Sequence, residues 1–209
     1  MIPFVALINR LLLHRVAKPF LFVVALLPAL WLFYGAALDQ LGANPAEYLI
    51  RATGDWTLRS LCLVLALTPL RIGLGLTGLA RFRRMLGLFT YFYCFLHSMA
   101  YSGFDQAFDL GDIAVDISTR PFIMVGFVAF LILSALAASS SNRIVRWMGG
   151  KNWQRLHRLV YVAAIAAIVH FLWMRSGKND FAEVAVYGAV LALLLLWRLK
   201  RYLKVLEGA

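Results

Sequence analysis

Three imidazoles, His97, His157 and His170, fall inside or at the ends of apolar stretches of this 209-residue chain. An ionisable ring held in hydrocarbon is costly and marks a function. Imidazole is also the usual protein ligand of b-type haem iron. His97 and His170 each lie late on stretches expected to run in the same direction, so the two rings share a depth. His157 and His170 are 13 residues apart, about 20 Å along a continuous helix and about 140° apart around it. That separation suits two redox stations stacked across a bilayer, but it requires a π-bulge or rings that face different ways. His14 precedes the first apolar stretch and reads as a solvated or headgroup histidine. Haem ligation and proton relay compete for the other three. Relays usually include carboxylates inside the spans, and no Asp or Glu lies deep within any expected span. That favours haem.

Six apolar stretches must position these rings: 19–38, 56–72, 84–101, 120–138, 156–174 and 181–198. Crossing a bilayer takes about 20 residues at about 1.5 Å each. With an apolar fraction of 62%, the chain reads as an all-α polytopic membrane protein, a six-helix transmembrane bundle forming a single domain over 1–209. The second stretch is short and needs snorkelling ends or a thinned bilayer. The first resembles a signal peptide, with Gly35-Ala36-Ala37 as a small-residue cleavage pattern. Its length and its basic flank, Arg10, Arg15 and Lys18, suit a retained anchor.

The net charge of +11 is distributed by topology rather than gathered for nucleic acid. Segments 1–18, 71–84, 139–158 and the tail from Arg198 hold 16 of the 21 Lys and Arg residues. The alternate segments hold 9 of the 10 Asp and Glu residues. The positive-inside rule then predicts that both termini are cytoplasmic, N-in and C-in. The basic surface reads as orientation plus attraction to anionic lipid.

The connections carry weaker signals. Asn44 with Glu47 predicts a capped interfacial helix over 45–50, and Gly54-Asp55 predicts a turn in a first outer loop, 39–55. A second outer loop, 102–119, carries Asp105, Asp109, Asp112 and Asp116. It is either solvated or a docking surface for a basic partner. Gly73, Gly75 and Gly78 follow no strand, so a Rossmann reading fails. Cys62 and Cys94 fall in different spans and read as buried apolar thiols. About eleven residues follow the last span, too few for a nicotinamide or flavin-adenine domain. Reducing power is therefore expected from a separate molecule.

Around the histidines the motifs resemble a known family. Arg83-Arg84-Met85-Leu86-Gly87-Leu88, with Tyr91 through His97 to Tyr101, is similar to its third helix. Thr119-Arg120-Pro121-Phe122 with Gly126 resembles the start of its fourth, and Trp153-Gln154-Arg155-Leu156-His157-Arg158-Leu159-Val160-Tyr161 its fifth. Leu67-Thr68-Pro69-Leu70-Arg71 resembles the end of its second. The family is MsrQ (YedZ), within the ferric-reductase-like transmembrane group, and the likeness runs from about residue 3 to 200.

The resemblance implies an inner-membrane b-type cytochrome with haem ligands at His97, His157 and His170. It implies electron transfer to MsrP, a periplasmic molybdopterin methionine sulfoxide reductase that repairs oxidised periplasmic proteins. Donors implied are the quinone pool or a cytosolic flavin reductase, and an FMN is associated with the family. The wider group pairs two histidines on helix three with two on helix five. Here Arg83 or Arg84 stands where the first of those on helix three belongs, so only His97 and His170 form a complete pair. The inner site, around His157, is left with an unusual second ligand, a five-coordinate iron, a flavin or a quinone. Arg83, Arg84 and Arg158 could pair with propionates or a flavin phosphate, or simply anchor the cytoplasmic face. A free-standing ferric reductase of the same fold and a His-relay transporter are the alternatives.

Overall fold

A computed structural model describes residues 3–177 and 179–207. Among the described residues every regular element is helical. In chain order α1 spans Pro3–Leu13, α2 Ala17–Ala37, α3 Pro45–Gly73, α4 Arg83–Phe104 and α5 Leu110–Thr119. Then come α6 Pro121–Ala138, α7 Asn142–Met148, α8 Gly150–His157, α9 Val160–Ser176 and α10 Ala182–Glu207. A 3-10 turn, Thr77–Phe82, leads into α4.

Among the described residues five helical segments are long and apolar enough to cross a membrane: α2, α3, α6, Gly150–Ser176 and α10. The remaining expected span, α4, has the length at 22 residues. Its two arginines, His97 and three tyrosines leave it outside that group by composition. Its Met85, Leu86, Phe89 and Tyr93 are buried in the main core. Outward faces stay apolar, with Phe20 66%, Trp31 66% and Leu193 69% exposed. Faces of this kind on helices this long are made for lipid.

α3 packs along α4 and α6 along α9; α4 also meets α6, and α10 closes against α3 and α9. α2 lies outside this ring, against α3 and α4. Ala163 and Ala164 are fully buried, and their small side chains let α9 approach its neighbours closely. The connections make successive long helices antiparallel. The C-termini of α4 and α9 therefore share one end with the N-termini of α3, α6 and α10. That end carries most of the acids, and the other most of the bases.

Three expectations change. Asn44 does cap, accepting from the Glu47 N–H at 3.1 Å with Pro45 in the first turn, but the helix it starts runs unbroken to Gly73. Gly54-Asp55 is not a turn, and the span needs no thinned bilayer. Asp55 therefore stands ten residues into a long helix rather than in a loop. Secondly, α8 and α9 are not one helix: i→i+3 bonds such as Leu159 N–H to Leu156 C=O tighten the chain at Arg158–Leu159. The break removes the need for a π-bulge, because the 140° offset holds only for a continuous helix.

Thirdly, the acidic outer loop is folded. Asp109 caps α5 through the N–H groups of Gly111 and Asp112. Asp116 is buried, accepting from Tyr101 Oη at 2.5 Å and Gln106 Nε2 at 3.0 Å and pairing with Arg120 at 2.8 Å. Two of the four acids thus hold structure, whereas among the described residues the Asp105 and Asp112 carboxylates enter no hydrogen bond or ion pair. Replacing Asp116 with alanine strands three donors, at a cost of about 2 kcal/mol. The midpoint of thermal unfolding in detergent should fall, whereas Asp112→Asn should leave it unchanged. The weak glycine pattern resolves into two local roles, at Gly75 and Gly78. Gly75 has φ +68°, a Cβ on Gly78 would lie 2.8 Å from Leu12 Cβ, and Asn9 of α1 bonds both residues.

Candidate functional site

α4 and α9 each carry one histidine near the acidic end, and their rings face each other with centroids 6.2 Å apart and planes at 73°. Each Nδ1 lies on a backbone carbonyl: His97 on Ile50 C=O at 2.9 Å and His170 on Phe122 C=O at 2.7 Å. A carbonyl can only accept, so each Nδ1 carries the proton and donates it. Each Nε2 is then left unprotonated with its lone pair available. Among the described residues neither Nε2 has a hydrogen-bond partner. This is the orientation that a metal-ligating imidazole receives from its outer contacts.

Both carbonyls are reached in the same way. Gly54 stands four residues after Ile50 on α3, and Gly126 four after Phe122 on α6. A Cβ on Gly54 would meet His97 Nδ1 at 3.2 Å, and one on Gly126 would meet His170 Nδ1 at 2.7 Å and Cε1 at 2.9 Å. Each glycine opens a side-chain-free notch through which a ring reaches a helix carbonyl. Gly126 belonged to the sequence motif, but its role did not show there. Gly54 looked like turn punctuation.

A single iron between the rings needs two metal–nitrogen bonds of about 2 Å, plus about 1 Å from each ligating nitrogen to its ring centre. The total, about 6 Å, matches the spacing present. Among the described residues no group of three or more His, Cys, Asp or Glu could hold a metal ion. Two imidazoles facing across a gap suit a metal whose other ligands come from a porphyrin.

The basic end holds a separate cavity of about 350 Å³. Arg83, Arg84 and His157 line it, together with Trp153, Tyr161 and Arg198. The His157 ring stacks on Trp153 at 3.9 Å, and its Nε2 meets Ser139 Oγ at 3.1 Å. Trp153 Nε1 donates to the Ser139 carbonyl, so Ser139 ties both rings. Among the described residues no imidazole faces His157. Arg84 donates to Asn142 Oδ1 at 2.7 Å. Arg158 is exposed at the end of α8 and stays out of the cavity. Arg198, which looked like a tail anchor, replaces it: the guanidinium lies over Tyr161 at 5.6 Å and donates to Leu65 C=O. Cys62 is half-buried and Cys94 buried, both as free thiols.

Residues 53–168 match the family model of the ferric reductase like transmembrane component. The helical bundle, with its facing histidines on α4 and α9, is thus a ferric-reductase-like transmembrane protein. Over 190 residues the chain is 61% identical to the protein-methionine-sulfoxide reductase heme-binding subunit MsrQ of Polaromonas naphthalenivorans, covering 91% of this chain and 87% of that one. It is 50% identical over 181 residues to the MsrQ of Herminiimonas arsenicoxydans, covering 87% and 83%. It is 46% identical over 201 residues to that of Ralstonia nicotianae, covering 93% of each. No solved structure matches the chain. The chain belongs to the MsrQ family.

Proposed function

We propose that the chain is the b-type haem subunit that carries electrons across the bacterial inner membrane to a periplasmic molybdopterin methionine sulfoxide reductase, MsrP. The observation that carries this reading is the facing pair His97 and His170, each Nδ1 committed to a carbonyl and each Nε2 free. The names of the relatives support haem and the methionine sulfoxide reductase system. Haem bound between the two rings would supply one-electron chemistry; the chain supplies ligands, low dielectric and exclusion of water. Repair of oxidised periplasmic proteins would be the outcome, and substrate chemistry belongs to the partner. The test is reconstitution. The purified full chain should show a low-spin b-type spectrum and, once reduced, should be reoxidised by MsrP charged with methionine sulfoxide. A colourless protein, or reoxidation by ferric chelates alone, would reject the reading; the latter would favour a free-standing ferric reductase.

Topology follows the charge. The basic end, with Arg83, Arg84 and Arg198, would face the cytoplasm, and the histidine pair the periplasm. Asp105 and Asp112 would then meet the partner. A reporter fused after residue 209 should behave as cytoplasmic, and a periplasmic signal would invert every assignment of face.

The cavity around His157 is the remaining cofactor or donor site, for FMN, a quinone or contact with a cytosolic flavin reductase. Its guanidinium groups and stacked Trp153 suit a flat, oxygen-bearing or anionic ring. His157→Ala should slow reduction by the physiological donor while leaving dithionite reduction and the low-spin spectrum intact. If reduction by the physiological donor does not change, His157 only ties α8 to Ser139.

A further inference from the structure

The turn that joins α4 to α5 presents large apolar side chains at the acidic end. Phe104, Phe108 and Leu110 are 56%, 61% and 81% exposed, all within one stretch of seven residues. Apolar groups this bare, gathered in one short turn rather than scattered, mark a contact surface.

The turn holds them under strain. α4 closes with the Phe108 N–H donating to Ser102 C=O at 2.7 Å, an arrangement whose left-handed position normally falls to glycine. Here Ala107 takes it, at φ +46°, and Phe108 follows at φ +60°. A bulky residue in that region is an outlier. Such strain persists only where the surroundings impose it, and it gathers at binding sites. Gly103 supplies part of the surroundings: a Cβ there would lie 3.0 Å from Phe108 Cζ and 3.1 Å from its Cε2. The ring is pinned along one edge against a bare stretch of helix, and the rest of it stands free. Asp109 then caps α5 and fixes Leu110 in its first turn. Both side chains are therefore held in place before any partner arrives, which lowers the cost of binding.

The charge around the turn decides between lipid and protein as its occupant. Segment 102–119 carries four aspartates and no Lys, Arg or His. Helices that lie on a lipid surface carry Lys and Arg on their polar face. At the basic end α1 has that pattern, with Phe4, Leu7 and Leu11 exposed near Arg10, Arg15 and Lys18. The α4–α5 turn has the reverse, and anionic headgroups would repel it. A protein with an apolar socket and a basic rim complements it. Phe104 ends α4 seven residues beyond His97, about 10 Å along the axis. A protein seated on this turn stands at the end of the bundle nearest the histidine pair.

We propose that Phe108 and Leu110 form the apolar anchor on which the periplasmic electron acceptor seats a socket ringed by Lys or Arg, with Asp105 and Asp112 at the rim. This rests on the electron-transfer reading above and adds the contact that holds the complex together. Buried apolar anchors govern dissociation, whereas rim charges govern association.

The test uses the full-length haem-loaded chain in phosphatidylethanolamine–phosphatidylglycerol nanodiscs, with MsrP as the probe. Under ultraviolet light Phe108→benzoylphenylalanine should cross-link to MsrP, and excess wild-type chain should suppress the product. Phe108→Ser and Leu110→Ser should each speed dissociation of MsrP by about 30-fold, the loss of one dominant contact. The absorption spectrum and the salt dependence of association should not move. Asp105→Asn combined with Asp112→Asn should do the opposite, slowing association and flattening its salt dependence. Cross-linking to lipid in place of MsrP, or an unchanged dissociation rate in both serine variants while MsrP still reoxidises the wild-type chain, would overturn the anchor and leave the electron-transfer reading standing. A haem-loaded wild-type chain that MsrP neither binds nor reoxidises would sink that reading, and the anchor with it.

Discussion

Replacing either His97 or His170 with alanine should abolish the low-spin b-type spectrum and cut electron delivery to the acceptor by more than about 100-fold. The effect is expected to be this large because the two imidazoles are the only ones facing each other among the described residues. Their 6.2 Å spacing leaves room for one metal atom and no other bridge. Losing one ring leaves the other Nε2 without a counterpart across the gap. His157 cannot step in, since its Nε2 is held by Ser139 at the opposite end of the bundle. His157→Ala is therefore the control that should keep the spectrum. A low-spin spectrum surviving in both His97→Ala and His170→Ala would remove the pair from the site.

Gly126→Ala should be nearly as damaging, although it adds a single methyl group. The new Cβ would lie 2.7 Å from His170 Nδ1 and 2.9 Å from its Cε1. The ring cannot simply retreat. Its Nδ1 is bonded to Phe122 C=O at 2.7 Å, and its Nε2 has to stay in line with His97. Loss of such an orienting contact typically lowers metal affinity by about 10- to 100-fold. Glycine to alanine inside a helix otherwise stabilises by about 0.5–1 kcal/mol. The haem-free protein should thus unfold no earlier than wild type while its haem-to-protein ratio collapses, and that divergence is the signature to measure. Gly54→Ala, with its closest contact at 3.2 Å, should show the same pattern more weakly. Normal haem content in Gly126→Ala would show that the notch has no part in holding His170.

Much was legible in the sequence because it depends on local composition. Six apolar stretches implied helices in lipid, and five of them meet the length and composition needed to cross it. The depth shared by His97 and His170 followed from direction and position along two stretches, and the rings do meet. The missing partner of His157 was visible as Arg83 and Arg84, and the structure brings both arginines to its cavity.

What the sequence could not carry is whatever depends on a neighbour distant along the chain. Gly54 has the chemistry of a turn residue, and nothing local says that an imidazole 43 positions later occupies the space of its missing Cβ. Asp55 read as a loop acid because Gly54 seemed to end the helix; the fold instead carries α3 through it and sets the carboxylate in a lipid-facing cleft. Arg158 and Arg198 are both basic residues beside apolar spans, alike in one dimension. The tight turn after α8 leaves Arg158 exposed, while the packing of α10 on α3 lays Arg198 against Leu65 and Tyr161. Asp116 is one of four similar acids until Tyr101, Gln106 and Arg120 converge on it. By itself the sequence determined that the apolar stretches are helical and which imidazoles lie at one depth, since hydrophobic length and spacing act residue by residue. Only the tertiary structure decided which way each ring, carboxylate and guanidinium faces, since that is settled by the packing of helices far apart in the chain.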